Sequence, residues 1–157
     1  MASVQRKRPK IGDVLEIGTP KGFAYLQYTN RDPTYGALIR VLPGVYQQRP
    51  SAFSDLVRER ERFFIFFPVG AAVNREIVTI VANEDIPAHA REIPPMRAAG
   101  GIDRNGHVLN WWLIEKGNKR MVNELTTEQR NLSLAEAWND TMLIQRIVEG
   151  WSPSDYV

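Results

Sequence analysis

A chain of 157 residues with 43% hydrophobic and 24% charged side chains has the composition of one soluble globular domain, long enough to bury roughly 68–70% of its unfolded surface. It contains no cysteine, which excludes disulfides, thiolate nucleophiles and cysteine-based zinc sites, and suits a reducing compartment. Arg6, Lys7, Arg8 and Lys10 place four cations and no acid in the first ten residues, so the net charge of +2 leaves residues 11–157 at −2. Residues 1–10 are therefore expected to be a flexible basic tail, and residues 11–157 a near-neutral single domain.

Three strands open the domain: IGDVLEI, FAYLQYT and ALIRVL, separated by GTPKG and NRDPTYG and closed by Pro43-Gly44. Turn residues bounding short β-rich runs predict an antiparallel meander over residues 11–42. Ser54 and Asp55 can cap a short helix from Leu56 to about Glu61, whose alternating arginines and glutamates read as a solvated face. Phe63–Phe67 and Glu76–Ala82 are short apolar runs of strand length, expected to be covered on both faces. Three prolines and two glycines between Ile86 and Gly101 predict a meandering connection with a helical turn.

Next comes a hairpin: an Asn-Gly turn at Asn105 and Gly106, a strand HVLNWWLIE, a second turn KGN and a partner strand KRMVNEL. Trp111 and Trp112 point to opposite faces of that strand, so each needs its own environment. One is expected to face the sheet core and the other to lie under the terminal helix or Trp151. The period then changes. Thr126 with Gln129, and Ser133 with Glu136, have capping-box spacing, and Asp140 can cap a last helix TMLIQRIVE that stops at Gly150. Leu143, Ile144, Ile147 and Val148 form its apolar stripe, and Trp151 is expected to fold back on the core. The fold class is therefore α+β, predominantly antiparallel β, as a bent sheet or SH3-like partly closed barrel with C-terminal helices packed against it.

Candidate chemistry is sparse. His89 and His107 are eighteen residues apart in different elements, without metal-ligand spacing. No Walker-type phosphate loop or G-x-S-x-G elbow occurs, and Glu84 with Asp85 reads as a solvated pair before a loop proline. No catalytic residue, cofactor or metal is expected. The most apolar window, Phe63–Val73, is too short to span a bilayer and carries Pro68 and Gly70, so no membrane partner and a cytoplasmic location are expected. Tyr25, Tyr28, Tyr35 and Tyr46 lie in or beside the meander with Arg31 in its turn, and these are residue types that anchor interfaces. Those five are the candidate partner-binding residues.

The ordered set KIGDVLEI, KGFAYLQY, GALIRVL, FFIFFPVGAAV, GHVLNWWLI, ELTTEQ and WNDTMLIQRIVEGW resembles the immunity protein 26 family of bacterial polymorphic toxin systems, over nearly the whole chain. The resemblance implies a non-enzymatic protein that binds a cognate toxin and silences it inside the producing cell, with no catalytic motif to carry over. Basic nuclease toxins favour acidic inhibitors, because complementary fields speed association, and a body near −2 does not fit that pairing. The alternative from the basic tail and the tyrosines is a small β-barrel nucleic-acid-binding module.

Overall fold

The computed structural model describes residues 8–156. The meander is present: β1 (Asp13–Thr19), β2 (Gly22–Asp32) and β3 (Gly36–Val41) pair antiparallel in chain order. β4 (Phe63–Phe66) adds beyond β3 and β5 (Val78–Asn83) beyond β1, giving a five-stranded sheet in the order β4-β3-β2-β1-β5. Its end strands do not pair with each other, so the sheet stays open rather than closing into a barrel. Register shifts at Val14/Leu15 and at Tyr28/Asn30 bend it, as an extra unpaired residue does.

The two faces of this sheet are both covered. Leu15, Ile17, Leu26, Ile39, Val41, Phe63 and Ile65 meet Leu143 and Ile147 of the C-terminal helix α2 (Asp140–Glu149), together with Trp138 and Trp151. Trp138, Trp151 and Phe63 pack ring on ring at centroid distances of 5.1–5.6 Å, so Trp151 does return to the core. Asn139 rather than Asp140 caps α2, its Oδ1 accepting from the Met142 amide at 2.8 Å. Gly150 ends the helix in the left-handed region at φ 71°, where a side chain would be strained.

The opposite face carries two apolar clusters separated by a polar row. Tyr25, Leu42, Phe53, Leu56 and Val57 form one cluster, and Leu38, Phe64, Phe66, Met96 and Ala135 the other. Between them Arg40 is fully buried: Nε donates to Glu61 Oε1 at 2.8 Å, Nη1 to Gln27 Oε1 at 2.7 Å and Val57 O at 2.9 Å, and Nη2 to Glu59 O at 2.6 Å. A buried guanidinium needs a carboxylate, so Glu61 is drawn inward, correcting the expected solvated face; Arg58, Glu59 and Arg60 remain exposed. The expected helix reduces to one 3-10 turn, Leu56–Arg58, because only Leu56 and Val57 have apolar surface to bury.

A second sheet packs on that cluster: β6 (Met96–Ala99), β7 (Trp111–Glu115), β8 (Asn118–Val122) and β9 (Ser133–Leu134), in the order β8-β7-β6-β9. Lys116 and Gly117, at φ 50° and 80°, form the two-residue turn between β7 and β8, the arrangement favoured in tight hairpins. β6 lies inside the expected connection, and β9 occupies the expected second capping box: Ser133 Oγ accepts from the Phe64 amide at 3.2 Å. The Thr126–Gln129 box does form, with reciprocal bonds of 2.9 and 3.1 Å. Phe66 bonds Glu136 and Trp138 through the backbone, joining the two sheets at β4.

One further expectation is corrected: β5 is a half-buried edge strand rather than one covered on both sides. Between β4 and β5 the chain makes a short helix α1 (Val69–Asn74), to which the sequence assigns no element. Of the tail, residues 1–7 lie outside the described residues. Arg8 and Pro9 line a groove on the body, and the Lys10 amide donates to Asp13 Oδ2 at 2.9 Å.

Candidate partner-binding surfaces

The five candidate residues separate into two places. Tyr25 is fully buried, its ring 4.9 Å from Phe53 and 5.7 Å from Tyr46, and its hydroxyl donates to Glu16 Oε2 at 2.8 Å. With no exposed surface it has nothing to offer a partner. Glu16 in turn accepts from Arg49 Nε at 2.8 Å and Nη2 at 3.0 Å, which pins the 45–50 segment over β1. Arg49, followed by Tyr25, holds the Glu16 carboxyl below the usual range against the opposing effect of burial. Burial, reinforced by Glu16, raises the Tyr25 phenol. Tyr46 is half-buried beside Tyr25 and exchanges two backbone bonds with Phe23. These two tyrosines therefore serve the scaffold.

Tyr28, Arg31 and Tyr35 come together. They line a groove of about 720 Å³ with Phe67, Pro68 and Trp138, formed where the β2–β3 turn faces the start of α1 and the approach to α2. Asp32 Oδ2 accepts from the amides of Thr34 and Tyr35 at 2.8 and 2.9 Å, fixing the turn. That places the Tyr35 ring flat on Phe66 at 4.8 Å. Tyr28 is buried in the groove floor, so only Arg31 and Tyr35 of the five are exposed.

A second surface was assigned to packing by sequence alone. Trp111 is 6% exposed, lying edge-on to Tyr156 and under the Arg97 guanidinium, whose carbon is 4.4 Å from the ring centre. Arg97 Nη2 donates to the carbonyls of Arg130, Pro153 and Tyr156, so the C-terminal segment covers this tryptophan. Trp112 is 37% exposed, with neither α2 nor Trp151 over it, which corrects the expected cover for both rings. Across the sheet it is flanked by Ala98 on β6 and Met121 on β8, and Met121 is 42% exposed. Leu109 and Ile102 are more exposed still. Four of the nine exposed large apolar side chains among the described residues thus fall between residues 102 and 121. A tryptophan-methionine face of this kind marks contact surfaces. The alternation of apolar residues on both faces of β7 concealed it, because it cannot tell a covered face from an open one.

Neither surface gathers reactive groups. His89 Nε2 lies 3.0 Å from Glu61 Oε1 and His107 Nδ1 3.4 Å from Asp103 Oδ2, each in a separate place. Among the described residues no three His, Cys, Asp or Glu side chains converge to hold a metal, and no helix is long and apolar enough to cross a membrane. The chain matches no protein family, curated protein or solved structure.

Proposed function

We propose that this chain is a non-enzymatic immunity protein, which neutralises a cognate bacterial toxin by protein–protein contact in the cytoplasm of the producing cell. The observation that carries the reading is the uncovered end of one face of the second sheet, where Trp112 and Met121 stand exposed side by side on the β7–β8 hairpin. A large rigid ring beside a methionine that adapts its shape is the kind of anchor around which an inhibitor closes an interface of about 1,200–2,000 Å². The resemblance of the ordered motifs to the immunity protein 26 family supplies the toxin as partner. Co-expression with the product of the adjacent gene is the test. The chain restores growth, and Trp112→Ala with Met121→Ser abolishes both rescue and co-purification while leaving the fold intact. A neighbouring gene whose product is harmless, or rescue that survives the double substitution, would sink the reading.

The groove favours a second reading, a module that binds single-stranded nucleic acid, since Tyr35 offers an exposed ring with Arg31 on the same groove. Oligonucleotide affinity that falls with salt and with Tyr35→Ala would support it. Absence of binding at low salt would exclude it.

A further inference from the structure

Every sheet has two ends, and this protein treats its four differently. In the first sheet the outer side of β4 is joined to residues 136–138, and in the second sheet β9 lies beside the same strand. That leaves β5 and β8. β5, with sequence VTIVAN, carries no charge. β8 shares its free outer side but differs in exposure and charge. Its residues Asn118, Lys119, Arg120 and Met121 are all exposed, and among the described residues no backbone hydrogen bond reaches it from beyond β7. It carries two cations and no acid, and the turn before it adds Lys116.

A free strand edge presents unpaired amides and carbonyls that accept another strand, and the side chains on the edge decide which. Successive residues of β8 point to opposite faces, so Lys119 and Met121 share the face that carries Trp112, while Arg120 lies on the other. A second copy of the chain, paired antiparallel about the strand midpoint, would set Arg120 against Arg120, and like charges directly opposite are unfavourable. A neutral strand would leave both cations without partners. We infer that the free edge of β8 recruits an extended segment of the toxin as an added antiparallel strand, carrying acids opposite Lys119 and Arg120 and apolar residues opposite Met121 and Val122. This rests on the reading of the chain as a contact protein and names the mode and charge of the contact. The cations that repel stray edges then select the acidic one, and Trp112 extends the apolar landing surface beside the new strand.

The probe is an eight-residue peptide, two valines followed by two glutamates within a serine-threonine sequence, titrated into the isotopically labelled full chain. The expected result is binding in about the millimolar range, as befits one short strand. Shifts and added exchange protection should be confined to the β8 amides and to the Trp112 indole. The isomer with both glutamates replaced by lysine binds about tenfold more weakly, because two cross-strand pairs change from attraction to repulsion. Lys119→Glu with Arg120→Glu, both fully on the surface, reverses that preference. No perturbation at several times the expected concentration, equal binding of the two peptides, or perturbation at β5 instead overturns the inference. Growth rescue by the charge-reversed variant also overturns it while leaving toxin neutralisation standing. Loss of rescue in Trp112→Ala alongside a weaker peptide titration that keeps its preference for glutamate is a separate outcome, supporting the strand contact.

Discussion

Glu16→Gln isolates the network that ties the 45–50 segment to the first sheet. Gln keeps the shape but turns one acceptor oxygen into a donor, so it faces the hydroxyl of Tyr25 or the guanidinium of Arg49 with the wrong polarity. The native carboxylate accepts bonds of 2.8, 2.8 and 3.0 Å from those two residues. Tyr25 is fully buried, and a buried hydroxyl left without an acceptor costs about 1–3 kcal/mol. The Arg49 side chain is 53% exposed, so water and salt screen its pair and about 1 kcal/mol is the most it adds. The expected loss at neutral pH is about 3 kcal/mol, read from urea unfolding of both proteins. The pH dependence follows from the depressed carboxyl. Because its folded value lies below the ordinary 4.5, its contribution is fully present above that pH and is lost as pH falls through the folded value. The gap between wild type and variant is therefore flat from neutral pH to about pH 5.5 and closes on further acidification. A gap below about 0.5 kcal/mol at pH 7, or one that widens in acid, would refute this account of the network.

Further outcomes follow from single contacts. Gly22→Ala would place a Cβ 2.6 Å from the Tyr46 carbonyl oxygen at a φ of +134°, so the Phe23–Tyr46 bridge opens and thermal stability falls by about 2 kcal/mol or more. Trp151→Ala empties the space between Phe63 and Trp138 and costs about 3–5 kcal/mol, seen as a lower urea midpoint with unchanged far-ultraviolet circular dichroism at zero denaturant. Lys116→Asn relieves a non-glycine residue at φ 50° and raises stability by about 0.5 kcal/mol in the same assay. Arg97→Ala releases the three carbonyls it holds, and limited proteolysis then cuts near Pro153 before the body is touched.

Local chemistry determined more of this protein than its plain composition suggests. Glycine, proline, asparagine and aspartate at fixed offsets marked the meander, the hairpin and the stop at Gly150, and Thr126 with Gln129 marked a box, since turn and cap conformations are set by a few neighbouring residues. The α+β class follows from the change of period after the hairpin, and three of the five candidate contact residues, Tyr28, Arg31 and Tyr35, do line one groove. Long-range pairing decided the rest. Met-Arg-Ala-Ala becomes β6 only because β7 offers an edge to pair with, and Ser-Leu becomes β9 because β6 does; no local propensity announces either strand. Glu61 turns inward because Arg40 is buried twenty-one residues away. Trp111 and Trp112 are identical in sequence terms and opposite in fate, because Arg97 and Tyr156 close over one face of β7 while the far end of the other stays open. Burial is a property of which surfaces meet, and a strand's own alternation fixes only that its two faces differ.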